Sequence, residues 1–152
     1  MASSSSTHEA VYCQKGLGFI RLAMSAGKNI LPMYCFGENQ MWVTSSAFLE
    51  GRRWIAKKFR VGVPLMRGRF YTPLCVWPLP TKTHLVIGRE IFVGKKENPT
   101  EEEVQKIFGL YVDEISRIWA TNARQYLPKD VADNGLQIEV IGVGVVREVK
   151  AK

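Results

Sequence analysis

The chain has no long hydrophobic run. Its uninterrupted apolar stretches fall far short of the ~20 residues that a membrane-crossing helix needs, so no bilayer span is expected. No secretory leader is expected either, because Met1–Ala10 is Ser-rich and polar with no apolar centre. Cysteine is sparse: Cys13, Cys35 and Cys75 are far apart and odd in number. They have neither metal-ligand spacing nor a disulfide framework. Cys35 sits in an apolar run and reads as a buried, inert thiol, and a reducing, cytosol-facing setting follows. Histidine is scarcer still. Any histidine chemistry must use His8 or His84. His8 lies in a floppy start, a poor place for preorganised chemistry. No Ser or Asp forms a triad motif with either one, so both read as surface or structural histidines. Internal repeats and a second domain are absent.

What is present fits one globular domain. The 152 residues are 46% hydrophobic, enough for a real core. Lys and Arg total 21 against 14 Asp and Glu, a net charge of +7. That excess favours an anionic partner without choosing among phosphate, membrane surface and nucleic acid.

Met1–Thr7 is a run of small residues, and residues 1–14 as a whole are expected to be disordered. From Lys15 to Ala26 the 3-4 spacing of Phe19, Leu22, Ala23 and Ala26 predicts a helix, stopped by Gly27. Asn29–Phe36 is apolar without alternation, which predicts a strand covered on both faces. Pro32 within it requires an edge or a bulge. Trp42–Arg60 is helical in part, with Phe48, Ile55 and Phe59 on one face. Val61–Pro80 is broken by prolines. His84–Ile87 is a short strand that Ile91–Val93 continues. Glu101–Tyr126 is the clearest helix: Thr100 and Glu103 form a capping box, and an apolar stripe runs from Val104 to Trp119. Leu136–Val149 reads as a terminal strand.

Strands alternating with helices predict an α/β layer fold, in which ligands sit at the carboxyl ends of strands. Phe36-Gly37-Glu38-Asn39-Gln40 is such an end. It is either a substrate-facing turn or an ordinary strand-to-helix turn with Glu38 solvated. Arg52–Arg60, with Trp54 and Phe59 interleaved, reads either as a solvated basic face or as a surface for lipid headgroups or single-stranded nucleic acid.

In order along the chain, these segments closely resemble the type-2 diacylglycerol acyltransferase family. Gly18, Phe19, Arg21, Leu22, Ala23 and Gly27 fit its Gly-Phe-Val-Arg-Leu-Ala block and the glycine after it. Pro32, Tyr34, Phe36, Gly37, Glu38 and Asn39 fit its Pro-x-Tyr-x-Phe-Gly-Glu-Asn strand and turn. Gly68-Arg69, Val86-Ile87-Gly88 with Ile91, and Pro99-Thr100 with Glu102, Val104 and Tyr111 fit later blocks. The resemblance covers about Lys15 to Tyr126. Gly16-Leu17 stands where Arg-Lys is usual, Glu90 replaces a proline, and Phe108 replaces a histidine. The His-Pro-His-Gly motif that carries the family's general base does not occur in the chain, and Glu9 is not assignable to the Gly-Gly-x-x-Glu block.

The resemblance implies a layered mixed sheet with flanking helices, glycerolipid-acyltransferase-like and incomplete. On that basis residues 15–152 are the carboxy-terminal part of an acyltransferase domain. The implied activity is acyl-coenzyme A-dependent O-acyl transfer in neutral glycerolipid synthesis. Acyl-coenzyme A is the co-substrate and a glycerolipid alcohol the acceptor, with no bound cofactor or metal. The implied substrate-binding residues are Arg21, Tyr34, Glu38, Asn39 and Arg69, with no catalytic residue in the chain. A membrane surface is the implied setting, on the cytosolic face of the endoplasmic reticulum, with no nucleic acid partner. The alternative is a non-enzymatic basic module that binds a membrane surface or a protein.

Overall fold

Helix α3 (Glu101–Tyr126) organises the fold. The structure, a computed structural model, describes residues 7–44, 49–60, 66–67 and 77–152. The start of α3 is fixed chemically: Thr100 Oγ accepts from the Glu103 amide at 3.4 Å, and the Glu103 carboxylate accepts from the Thr100 amide at 2.9 Å. This reciprocal pair satisfies two of the amides that a helix start leaves unbonded. Three glutamates in the first turn complement the dipole. Val104, Phe108, Val112, Ile115, Ile118 and Trp119 are buried, with Ile107 and Tyr111 packed against them. The predicted stripe is the core face of this helix.

The class is α/β, and among the described residues the strands form three small sheets rather than one. Strand β1 (Glu9–Gln14) runs parallel to β6 (Leu136–Ile141), which pairs antiparallel with β7 (Gly144–Val149). Strand β2 (Met33–Phe36) pairs antiparallel with β5 (His84–Ile87). Strands β3 (Val43–Thr44) and β4 (Met66–Arg67) form a third pair. Helix α1 (Gly18–Ala26) packs on α3, as do β2 and β5. Helices α2 (Leu49–Phe59) and α4 (Lys129–Asn134) are also present.

Several expectations need correction. Residues 9–14, expected in a disordered start, form β1, and its Glu9 and Cys13 are buried. The terminal strand is a hairpin, because Gly142 and Gly144 take positive φ and turn the chain between β6 and β7. Regular pairing in β2 begins only at Met33; Ile30 makes an isolated bridge to Ile91. Pro32 uses only its carbonyl, which accepts from the Gly88 amide at 2.8 Å. That answers how a proline sits beside the ladder. The two faces of β2 are covered unequally among the described residues: Tyr34 and Phe36 are buried, whereas Met33 is exposed and Cys35 half-buried. In α2, Phe59 is exposed rather than inward-facing, Ile55 is half-buried, and Phe48 lies outside the described residues. Among the described residues, no helix is long and apolar enough to cross a membrane.

Candidate functional site

The polar turn after β2 is held by a buried carboxylate. Strand β2 delivers the Tyr34 side chain inward and ends at Phe36. Gly37 then turns the chain with φ 86°. A β-carbon there would run into the Lys82 carbonyl oxygen, so both the left-handed conformation and the close backbone approach require glycine. A single 3-10 turn, Asn39–Met41, follows.

Glu9 of β1 lies beneath this turn, only 3% exposed. Its Oε2 accepts from the Tyr34 hydroxyl at 2.6 Å and from Asn39 Nδ2 at 2.8 Å. Its Oε1 accepts from Gln40 Nε2 at 3.0 Å. A buried carboxylate is costly unless its oxygens are met by donors, and here three donors from one short segment meet it. Burial pushes the Tyr34 phenol well above its ordinary range, and the Glu9 charge and hydrogen bond add to the shift. The phenol therefore serves as a fixed donor. Tyr34, Phe36, Tyr126 and His84 form a ladder of ring contacts at 4.8, 5.6 and 4.3 Å. His84 stacks flat on Tyr126.

The resemblance-derived residues separate into different roles. Tyr34 and Asn39 face Glu9 inside the protein. Glu38 is exposed; its carbonyl accepts from the Met41 amide at 3.1 Å, while its carboxylate makes no hydrogen bond or ion pair to the described residues. Arg21 is elsewhere: its guanidinium pairs with Glu101 and donates to the carbonyls of Gly16 at 3.1 Å and Pro99 at 3.4 Å, joining α1 to the start of α3. Arg69 lies outside the described residues. In the sequence Glu9 was weighed only against the Gly-Gly-x-x-Glu block, and its role as the buried acceptor of this turn was missed. Its signal was a lone acidic residue beginning a Val-Tyr-Cys strand, hidden by the serines before it. Among the described residues no three His, Cys, Asp or Glu side chains cluster to hold a metal.

The turn thus presents one solvent-facing carboxylate on a rigid base, at the carboxyl end of a strand, in an α/β protein. The arrangement suits binding and orienting a polar group of a ligand. Comparison with known proteins identifies the lineage. The sequence model of the family described as diacylglycerol acyltransferase matches residues 2–133. Diacylglycerol O-acyltransferase 1 of Eremothecium gossypii is 31% identical over 74% of this chain and 26% of its own. Diacylglycerol O-acyltransferase 2 of Xenopus tropicalis is 33% identical over 67% of this chain and 30% of its own. 2-Acylglycerol O-acyltransferase 1 of Bos taurus is 25% identical over 76% of this chain and 37% of its own. The chain belongs to the diacylglycerol acyltransferase family. It spans about a third of the length of the curated relatives it matches. No solved structure matches it.

Proposed function

We propose that the chain is the carboxy-terminal part of an acyl-coenzyme A-dependent O-acyltransferase of neutral glycerolipid synthesis, with diacylglycerol or a related alcohol as acceptor. The observation that supports this is the Glu9 clamp on Tyr34, Asn39 and Gln40, which rigidifies the family's Phe-Gly-Glu-Asn turn and leaves Glu38 facing solvent. In such a transfer the acceptor hydroxyl loses its proton to a base. Its oxygen attacks the thioester carbonyl, and the carbon–sulfur bond breaks to release coenzyme A. Glu38 would accept a hydrogen bond from a polar group of the acceptor and orient it. The base is assigned outside the chain, since His84 is stacked on Tyr126 and His8 is an exposed residue next to β1. Kinship supports a setting on the endoplasmic reticulum membrane.

A second reading is a basic module that binds an anionic membrane surface. It is favoured by α2, where Trp54 and Phe59 are exposed and the Lys58 ammonium lies 4.8 and 5.7 Å from their ring centres. Apolar rings beside a cation suit a lipid headgroup layer.

Purified chain incubated with radiolabelled acyl-coenzyme A and diacylglycerol should bind the thioester without turnover above a heat-killed control. Turnover that disappears in His84→Ala would put the base inside the chain and overturn the assignment. Sedimentation with anionic but not neutral liposomes, with no thioester binding, would select the second reading.

A further inference from the structure

A second concavity shares no residue with the Glu9 clamp. It is a groove of about 700 Å³ between α3 and the β6–β7 hairpin, within the usual range of small-ligand sites, about 300–1,000 Å³. Its floor is the buried side chains of Leu17, Phe108, Val112 and Val140, and Val143 and Val146 form exposed walls.

Two further features lack an explanation among the described residues. Gly109 lines the groove from inside α3, where glycine weakens a helix relative to alanine. A β-carbon at Gly109 would meet nothing within 4 Å, so packing among the described residues does not demand glycine there. The residue keeps space open in the groove wall. Lys15 also borders the groove and pairs with no carboxylate among the described residues. The other charged groups on the rim are engaged: Glu101 pairs with Arg21 and Arg147 with Asp113. Beside Lys15, α1 begins with no side-chain cap and no acidic residue in its first turn, so positive potential is concentrated at this end.

We propose that this groove holds the hydrocarbon tail of a long-chain acyl group whose anionic head is met by Lys15. An apolar floor, a wall kept open by glycine and a cation unpaired among the described residues together match a fatty acyl chain with an anionic group at its polar end: the carboxylate of a free fatty acid, or a phosphate of coenzyme A reached across the pantetheine arm of a thioester. The inference rests on the acyltransferase reading for its second source, and adds where the acyl chain lies.

The test uses the full chain with palmitate, palmitoyl-coenzyme A and coenzyme A as separate titrants below their micelle concentrations, read by calorimetry. Gly109→Leu fills the groove with a helix-favouring side chain, and Lys15→Glu reverses the charge. Gly109→Ala is the folding control, and all variants are checked by circular dichroism. Gly109→Leu should weaken the long-chain ligands at least tenfold, and Lys15→Glu should weaken them several-fold, with helical content unchanged. Tighter binding of palmitate than of the thioester would name a free fatty acid as the ligand. The reverse order, with competition by coenzyme A alone, would name the thioester. Palmitoyl-coenzyme A binding that survives unchanged in folded Gly109→Leu and Lys15→Glu overturns the groove assignment while leaving the acyltransferase reading intact. No binding of either long-chain ligand to the unmodified chain overturns both.

Discussion

On one face of the β2–β5 sheet, Tyr34, Phe36 and Val86 press toward α3. On the other, Met33, Leu85 and Ile87 stand 51%, 61% and 58% exposed, with Cys35 half-buried among them. Composition does not separate the two faces, since both are apolar. A two-stranded antiparallel sheet with one wet face ordinarily alternates apolar with polar residues, and β2 does not. Burial here is therefore decided by what lies opposite each face. The inner face meets a 26-residue helix and a buried carboxylate. The outer face has no such cover among the described residues, and three of its large apolar side chains stand more than half exposed.

The sharpest way to break this comparison is to place one charge on each face. Phe36 is fully buried, so Phe36→Asp removes a large apolar side chain and buries an unpaired carboxylate. A loss of about 3–5 kcal/mol is expected, enough to unfold a marginal domain. Leu85→Asp, one pair along the ladder, should cost about 0.5 kcal/mol or less. Urea unfolding midpoints of the two variants give the answer. Equal losses would show that the outer face is buried in solution.

Next in size is the polar anchor of the inner face. Glu9→Ala leaves the Tyr34 hydroxyl and the amides of Asn39 and Gln40 without their acceptor. The expected cost is about 1–3 kcal/mol. Glu9→Gln keeps one acceptor oxygen and should lose less. If both variants match the parent midpoint, the carboxylate does not organise the turn.

The same anchor has a pH signature. The Tyr34 phenol is raised in the fold, first by burial and then by Glu9. A group with a raised folded value contributes stability that is complete below its unfolded value, about 10 for tyrosine. That contribution is lost as pH rises from there toward the folded value. Stability should fall by about 1 kcal/mol per pH unit above pH ~10, and Tyr34→Phe should flatten the fall. Tyr111, also raised by burial, contributes a remainder. An unchanged alkaline slope in Tyr34→Phe would remove the phenol from the account.

These residues also show where the sequence was legible. Helix α3 was readable because its cap, its acidic first turn and its 3.6-residue stripe all agree on one element. The bounds of β5 were legible from its flanking turns, and kinship was legible from the ordered blocks between Lys15 and Tyr126. Strand β1 was not, because its pairing partner β6 is more than a hundred residues away and no local pattern announces it. Glu9 was hidden for the same reason: its three donors come from residues 25 to 31 positions later. The unequal cover of β2 was illegible because apolar residues alone do not reveal which face has a neighbour.

The mildest change tests the outer face without charge. Met33 and Ile87 are directly opposed across the β2–β5 ladder, and both point outward. Replacing both with threonine keeps β-branched or strand-compatible side chains on the pleat and adds a cross-strand hydroxyl pair. Little transfer energy is at stake, because each side chain is already more than half in water. The unfolding midpoint should stay within about 0.5 kcal/mol of the parent. A loss above about 2 kcal/mol would mean that these side chains are covered when the protein is in solution. Light scattering on the parent chain would then decide whether a second copy provides the cover: a dimer that becomes monomeric in the Met33→Thr, Ile87→Thr pair would erase the contrast between the faces, whereas a monomeric parent with an unchanged midpoint preserves it.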